Sequence, residues 1–179
     1  KAFPNFIRRM GLVHAFMLTI PGPKMIWQFG ELGYDFSINY CPNGTINTNC
    51  RVDPKPIRWD YFKNSERAAV YTMTGHLNRL RKNPSYSNLF ISNNIGYNFS
   101  SQFKWMIINE GAARMAVIGN FGVDSLTSNF TFPTAGTWYN YLNPGTFNST
   151  GSPQSIRLGP GEYRIYLNQS IALPVTITS

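Results

Sequence analysis

The residues best placed for chemistry lie in the segment Ile20–Asp35, where a carboxylate follows a short apolar run. A turn at Pro21–Pro23 precedes the run Met25–Phe29, which stops at Gly30 and is followed by Glu31. This pattern is typical of a buried parallel strand, whose carboxyl end borders the working surface of an α/β protein. We expect Glu31 to hydrogen-bond loop backbone or an arginine there, because a single acid has no partner for acid–base catalysis.

The cysteines and histidines favour structural roles. Cys41 and Cys50 lie in a polar loop without further metal ligands nearby. A disulfide is the favoured interpretation and two free thiols are the alternative; a disulfide would indicate an oxidising compartment. His14 and His76 lie in helix-like segments, and nothing around them has the pattern of a catalytic triad. We expect no metal site and no cofactor.

Helix-like segments at Phe6–Leu18 and Ser65–Arg81 flank the apolar run Met25–Phe29. A helix, a buried strand and a second helix form one segment of an α/β barrel or a doubly wound sheet. A central parallel strand needs a neighbour along each edge. We therefore expect the chain to be part of a larger α/β protein. We also expect the strand to pair with a second copy, to pack on the rest of the chain, or to leave its loop disordered.

The second half of the chain has the pattern of an antiparallel β-sandwich. Residue usage shifts near Tyr86, and Asn83 with Pro84 stops the preceding helix, so we predict domains at 1–86 and 87–179. Short apolar or alternating runs recur between turn signals. They predict strands at Phe103–Asn109, Arg114–Phe121, Thr127–Phe132, Thr137–Leu142, Gln154–Leu158 and Tyr163–Asn168, with a further strand at Pro174–Thr178.

Aromatic residues in this half have two interpretations. Exposed flat rings could bind sugar, and the candidates are Trp105, Trp138, Tyr139 and Tyr141. For Trp138 and Tyr141 we favour the core, because a small domain needs large buried side chains. The predicted core is Met106, Ile108, Met115, Val117, Phe130, Phe132, Trp138, Tyr141, Ile156, Leu158, Tyr163, Ile165 and Leu167.

Charge and hydropathy indicate neither a nucleic-acid partner nor a membrane span. The formal net charge is +8, but the bases are scattered, and the cluster Arg79–Lys82 falls in the last turn of a predicted helix, where cations are favourable. No nucleic-acid-binding signature accompanies it, so we expect no nucleic-acid partner. No apolar run reaches the length of a membrane span.

Several motifs together resemble a known family. The sequence Gly30–Gly33 after the apolar run, then Arg51, then Pro56–Trp59, then the helix Ser65–Arg81, is similar to the end of the catalytic barrel of glycoside hydrolase family 13, the α-amylase family. The likeness is greatest to secreted enzymes of Bacteroidetes-type bacteria. The stretch Leu158–Asn168 resembles the last hairpin of the β-sandwich that closes such chains.

The resemblance implies an α+β fragment, the last β/α segment of a TIM barrel followed by an all-β sandwich. It implies a secreted, periplasmic or cell-surface parent that acts on α-glucans and supplies the missing N-terminal barrel portion. The family's catalytic carboxylates precede this segment, so we expect no catalytic residue here. Arg51, Asp35 and Glu31 become the candidates for substrate binding, with Arg51 either donating to sugar hydroxyls or fixing an acidic neighbour. Trp59 would flank a glucose ring or pack beneath the loop. A carbohydrate-binding module and a stabilising domain without a ligand are the alternatives.

Overall fold

The computed structural model describes residues 2–173 and places both predicted helices close to their expected bounds. Helix α1 is Ala2–Thr19 and helix α2 is Ser65–Lys82. Asn64 caps the start of α2, because its side chain accepts hydrogen bonds from the backbone amides of Glu66 and Arg67. Apolar residues three or four positions apart give each helix one buried face. These residues are Ile7, Leu12, Ala15, Phe16 and Leu18 in α1, and Val70, Met73, Leu77 and Leu80 in α2.

Six of the predicted strands are confirmed, with ends that differ from the prediction by at most two residues. Two further strands, the first and the sixth in chain order, were not predicted. The strands are β1 Ile95–Asn98, β2 Phe103–Glu110, β3 Ala113–Asn120, β4 Leu126–Phe130, β5 Gly136–Asn140, β6 Thr146–Ser149, β7 Gln154–Leu158 and β8 Tyr163–Leu167. The two unpredicted strands, β1 and β6, are four residues long and each has at most one buried residue, so they carry little apolar signal. The prediction at Pro174–Thr178 lies outside the described residues.

Every strand pair in the described part of the chain is antiparallel. Six strands form one sheet in the order β1-β2-β3-β8-β5-β6, and β4 pairs with β7 in a separate two-stranded ribbon. The connection Leu158–Asn168 was expected to be a hairpin, and that expectation is wrong. Strand β7 pairs with β4, whereas β8 lies between β3 and β5, so the turn at Gly159–Gly161 carries the chain from one sheet to the other.

The larger sheet has a hydrophobic core on each face. Residues of the two-stranded ribbon cover one face, in a cluster that includes Phe130, Phe132, Trp138 and Ile156. Helices α1 and α2 cover the other face, in a cluster that continues into β2, β3 and β8. The predicted core residues are buried, with Tyr163 only partly so, and Trp138 and Tyr141 are core as favoured. The helices and strands of the two predicted domains share this second core, and the boundary near Tyr86 stays a prediction.

The apolar run Met25–Phe29 does not form the strand that its sequence predicts. Residues 23–27 belong to no helix or strand, and the chain turns at Gln28 and Phe29. Within the described residues, no backbone amide from Lys24 to Gln28 donates a hydrogen bond. The physical reason is that a strand requires a ladder partner, and the described chain places none beside this run. Met25 is 85% exposed and Trp27 is 43% exposed. Among the described residues, no helix is both long and apolar enough to cross a membrane.

Candidate functional site

The loop after the apolar run is held by one tight turn. Phe29 has a positive φ of 56°, which is uncommon for a residue with a side chain, and Gly33 has a φ of 68°. Between them the residues Gly30–Leu32 form one 3-10 turn. The Tyr34 amide donates to the Phe29 carbonyl at 3.2 Å. The chain reverses direction in this turn, and the carbonyl of Leu32 accepts a hydrogen bond from Arg67 at the start of α2.

A row of aromatic rings lines this loop. Phe29 lies 4.9 Å from Trp59 in an edge-to-face arrangement, and Phe29 also contacts Tyr34 at 5.9 Å between ring centroids. Tyr34 contacts Trp27 at 5.5 Å and Phe36 at 5.4 Å. Such pairs contribute about 0.5–1.5 kcal/mol each beyond the area that they bury. Phe29 is buried, but Trp59 as a residue is 60% exposed. Trp59 therefore packs on Phe29 and still presents surface to solvent, and its contact with a glucose ring stays a prediction.

Arg67 joins the first turn of α2 to the loop. Its guanidinium donates from Nη2 to Asp35 Oδ2 at 2.9 Å, and from Nη1 to the carbonyl of Leu32 at 2.8 Å and to that of Gly33. The side chain is buried, with 5% of the residue exposed, and it lies 3.8 Å above the ring of Tyr61. A buried guanidinium needs such acceptors to offset its lost hydration. Arg67 therefore positions the loop rather than facing solvent.

Tyr61 completes the fixing of Asp35. Its hydroxyl donates to Asp35 Oδ1, and the guanidinium of Arg58 lies 4.1 Å from its ring on the exposed side of the loop. Burial alone would raise the pKa of Asp35, but the hydrogen bonds from Tyr61 and Arg67 and the charge of Arg67 hold that pKa below its ordinary value. Asp35 is thus ionised at neutral pH. It can accept hydrogen bonds and it is a poor proton donor.

The disulfide between Cys41 and Cys50 is confirmed, with the two Cα atoms 5.2 Å apart. It closes a loop whose exit is held by Lys55, which is buried and donates from Nζ to the carbonyls of Cys50 at 2.6 Å and Asp53 at 2.9 Å. The Tyr34 hydroxyl donates to the carbonyl of Pro56 at 2.7 Å. The segment that follows the disulfide loop is therefore joined to that loop through Lys55 and to the aromatic loop through Tyr34.

The structure does not join the three predicted binding residues to one another. Asp35 is bonded to Arg67 and Tyr61, and its side chain is 50% exposed. Arg51 follows Cys50 directly and is exposed, and its guanidinium makes no hydrogen bond with a described residue. The arginine that binds Asp35 is Arg67 and not Arg51. The assignment of Arg51, Asp35 and Glu31 to substrate binding stays a prediction.

Glu31 borders an open cleft. The cleft has a volume of about 730 Å³ and lies between the apolar run and α2. Its wall includes Ile26, Phe62, Tyr71 and Arg79. No group of three or more histidine, cysteine, aspartate or glutamate side chains within residues 2–173 is arranged to hold a metal ion. Because Ile26 and Phe62 lie beside Glu31 and Arg79, the wall of the cleft is partly apolar and partly charged.

Sequence reasoning missed two residues of this site, Arg67 and Tyr61. The signal for Arg67 was its place three residues after the cap Asn64, which directs it toward the preceding loop at the start of α2. Tyr61 lies in the short 3-10 helix Trp59–Lys63, and five residues are too few to show a periodic pattern in the sequence. Both residues act on Asp35 across more than twenty positions of sequence, with separations of 26 and 32.

Neither the protein-family models nor the curated proteins contain a match to this chain. Solved structures do match it. An Anoxybacillus α-amylase aligns with 90% of this chain at a TM-score of 0.65 and 11% identity. A variant of AmyP in complex with maltotriose aligns with 93% at a TM-score of 0.69 and 13% identity, and the cyclomaltodextrin glucanotransferase CldA with 92% at 0.62 and 17%. At these identities the likeness establishes the fold, which is α+β with antiparallel sheets. The chain spans about a third of the length of each of these structures, at 32%, 35% and 33%.

Proposed function

We propose that this chain is the C-terminal part of a secreted α-amylase-like glycoside hydrolase that acts on α-glucans, of the type found in Bacteroidetes-like bacteria. The observation that carries the proposal is the shared fold over at least 90% of the chain with an α-amylase, a maltotriose-bound AmyP variant and a cyclomaltodextrin glucanotransferase. The catalytic carboxylates would come from the remainder of the parent protein. The chain by itself would not hydrolyse glucan.

In this proposal the loop site contributes to substrate binding. The exposed side chain of Trp59 supplies an apolar surface for a glucose ring, while Arg51, Asp35 and Glu31 supply hydrogen-bonding groups. Arg67 and Tyr61 act through Asp35, because they hold its carboxylate in one orientation. The disulfide at Cys41 supports an oxidising location, which is secreted, periplasmic or at the cell surface.

The missing part of the barrel is the proposed partner of the apolar run. Within the described residues, the backbone amides of Lys24–Gln28 donate no hydrogen bond, and the side chains of Met25 and Trp27 are exposed. Both features are typical of a strand whose neighbouring strands are missing. Phe62 and Tyr71 are 49% and 38% exposed on the wall of the adjoining cleft and extend that surface. A second copy of the chain would compete with the missing part of the barrel for this apolar surface. Self-association of the chain in the absence of the rest of the parent is therefore part of the proposal.

The reading frame upstream of Lys1 in the encoding gene tests the class directly. We expect it to encode the earlier strands and helices of a barrel with three catalytic carboxylates. A stop codon and an unrelated upstream gene would overturn the proposal. In addition, the chain should release no reducing sugar from starch, and clear turnover by this polypeptide would contradict its assignment as a non-catalytic part.

The binding role of the loop is tested with maltotriose and isothermal titration calorimetry. Trp59→Ala should weaken binding about tenfold, since one lost ring contact contributes on the order of 1.4 kcal/mol. Trp59→Phe keeps a flat ring and should retain most of the affinity. The matched control is Ile91→Ala, which removes a 78% exposed apolar side chain outside the loop and should change nothing. Equal affinity for Trp59→Ala and the unmodified chain would exclude this ring from substrate binding.

The second candidate function is a non-catalytic carbohydrate-binding module. The burial of Trp138 and Tyr141 removes two of the four aromatic residues first considered for it. Trp105 is half-buried against Phe130 at 5.9 Å, so its ring is also partly committed to packing. Tyr139 in β5 is also half-buried, so Trp105 and Tyr139 are the two candidates of the four that keep part of their surface exposed.

A further inference from the structure

The tip of the disulfide loop carries the one Asn-Gly pair of the sequence, Asn43 followed by Gly44. Residues 42–49 are all exposed, so water reaches this pair. Asparagine is thermolabile, because the backbone nitrogen of the next residue can attack its side-chain carbonyl. Glycine has no Cβ to hinder that attack, and its backbone has the most freedom to reach the carbonyl. The sequence therefore indicates that Asn43 is the asparagine most open to deamidation.

Deamidation needs water and no other co-reactant. The Gly44 nitrogen forms a bond to Asn43 Cγ, and the bond from Cγ to Nδ2 breaks. Nδ2 leaves as ammonia with the proton from the Gly44 nitrogen, and a succinimide remains. Water then opens the succinimide at either of its carbonyls, which gives aspartate or isoaspartate. Nothing is oxidised or reduced in these steps.

In the folded loop, hydrogen bonds hold both reacting groups. The Gly44 amide donates to the carbonyl of Cys41 at 2.9 Å. Asn43 Oδ1 accepts from the amide of Thr45 at 3.1 Å and from its hydroxyl at 2.8 Å. Before the two groups can react, the Gly44 nitrogen must leave its acceptor and the Asn43 side chain must turn away from Thr45. Deamidation therefore requires the tip of the loop to open.

A short hairpin carries this tip, and its own contacts are weak. The amide of Cys41 donates to the carbonyl of Thr45 at 2.8 Å, and the amide of Asn47 donates to the carbonyl of Asn39 at 2.9 Å. Ile46 is 70% exposed, so the hairpin buries little apolar surface. Segments with few buried contacts open locally at a low cost in free energy. Hydrogen bonds alone would therefore hold the tip closed only weakly.

The disulfide supplies the restraint that the hairpin lacks. It joins Cys41, which is 3% exposed, to Cys50 at the other end of the loop. Lys55 donates from Nζ to the carbonyl of Cys50 at 2.6 Å, so that end is anchored as well. A covalently closed loop of this length has few open conformations. The disulfide therefore limits the opening that deamidation requires.

Asn98 provides a comparison inside the same chain. Its Oδ1 accepts from the amide of Ser100 at 3.0 Å and from its hydroxyl at 2.7 Å, which is the arrangement found at Asn43. Asn98 is also exposed, but Phe99 follows it, and it lies outside the disulfide loop. The two asparagines therefore share their side-chain hydrogen bonding and differ in the following residue and in covalent restraint.

We propose that the disulfide between Cys41 and Cys50 protects Asn43 from deamidation, and that its reduction turns the loop tip into a self-modifying site. A dithiol reductant starts the sequence. Its thiolates displace the two cysteine sulfurs in turn, so the cysteines become thiols and the reductant becomes a disulfide. Deamidation then replaces an amide with a carboxylate, and isoaspartate adds one methylene to the backbone between the cysteines. Because ammonia is lost, the loop keeps this change after it is oxidised again.

Peptide mapping by mass spectrometry tests this inference on the full chain, incubated at mildly alkaline pH with and without dithiothreitol. Asn43 should gain the mass difference between an amide and an acid at least about tenfold faster in the reduced chain, because the tip opens more often. The Cys41→Ser, Cys50→Ser double variant should match the reduced chain without any reductant, which excludes a direct effect of dithiothreitol. Asn98 should deamidate at the same slow rate in all three samples.

Three results would contradict the inference. Equal rates at Asn43 in the oxidised and reduced chains overturn the protection by the disulfide. A reduced chain that keeps Asn43 intact overturns the modification site. An equal acceleration at Asn98 overturns the local mechanism, because it would show that reduction unfolds the chain as a whole. None of these results depends on what the upstream gene encodes, so the proposed function is tested separately.

Discussion

Arg67 and Asp35 meet across 32 residues, and their contact joins helix α2 to the loop that carries the candidate site. The guanidinium Nη2 lies 2.9 Å from the carboxylate Oδ2. The cation is almost fully buried, while the side chain of its partner is half exposed. The arginine can therefore not leave its acceptors without a large loss of solvation, whereas the carboxylate keeps one side open to a ligand. The pair fixes the loop and leaves the acid accessible.

Replacement of Arg67 should destabilise the protein. Arg67→Met keeps most of the apolar stem but leaves the carbonyls of Leu32 and Gly33 and one oxygen of Asp35 without their donor. We expect a loss of about 2–3 kcal/mol in the free energy of unfolding, because hydrogen bonds to charged groups are at the strong end. Urea denaturation followed by tryptophan fluorescence measures it. The control is Arg114→Met, because the side chain of this half-buried arginine makes only a local, solvent-exposed hydrogen bond to Ala112, and it should change stability by less than about 0.5 kcal/mol.

Asp35 should make the stability depend on acidic pH. Its pKa in the folded protein is lower than in the unfolded chain, so its contribution is fully present above the unfolded value of about 3.9. The contribution is lost as the pH falls through the folded value. The midpoint temperature of thermal unfolding should therefore fall more steeply below roughly pH 4 for the unmodified chain than for Asp35→Asn. Parallel pH profiles for the two proteins would show that Asp35 carries no such linkage.

Tyr61 should titrate at unusually high pH. Burial, the hydrogen bond to Asp35 and the negative charge of Asp35 raise its pKa to about 12. The difference between the alkaline absorbance titrations of the unmodified chain and of Tyr61→Phe isolates this one phenol. Asp35→Asn removes the charge and should lower the Tyr61 pKa toward its ordinary value. A Tyr61 titration that is unaffected by Asp35→Asn would contradict the contact between the two side chains.

Two glycines should respond in opposite directions to alanine. A Cβ at Gly119 in β3 would lie 2.5 Å from Leu12 Cδ1 and 2.8 Å from Phe16 Cε2, which would force α1 away from the sheet. We expect Gly119→Ala to cost about 1–3 kcal/mol. A Cβ at Gly75 in α2 meets nothing within 4 Å, so Gly75→Ala should stabilise the helix by about 0.8–1 kcal/mol. Unfolding of both variants in urea under one set of conditions decides the sign, and an insensitive Gly119 would place α1 elsewhere on the sheet.

Loss of the disulfide should loosen the loop without unfolding the sheet. The Cys41→Ser, Cys50→Ser double variant should lose about 2.7 kcal/mol of stability in the chain-entropy model, given the nine-residue separation. The unmodified chain treated with dithiothreitol should match it. Proteolysis should then cut near Arg51, while the cores around Met106 and Trp138 stay protected. Identical stability of the oxidised and reduced chains would show that the disulfide does not stabilise the protein.

Much of the β-rich half could be predicted from the sequence. The runs that became β2, β3, β7 and β8 alternate or concentrate apolar residues between clear turns, and their bounds agree with the prediction to within one or two residues. Helix α2 was equally clear, since Asn64 caps its start and Pro84 follows its end. These signals are local, because capping, turn formation and side-chain periodicity depend on neighbours in sequence.

The sequence by itself determined the two helices and six of the eight described strands, which side chains are apolar enough for the core, and that two cysteines nine residues apart can pair. Only the tertiary structure decided that β8 lies between β3 and β5, that helices cover one face of the sheet, and that Arg67 rather than Arg51 holds an acid. It also decided that the run from Met25 to Phe29 stays unpaired. The reason is physical: a strand, an ion pair and a buried face each require a partner distant in sequence, and local pattern carries no information about which partner folding brings within reach.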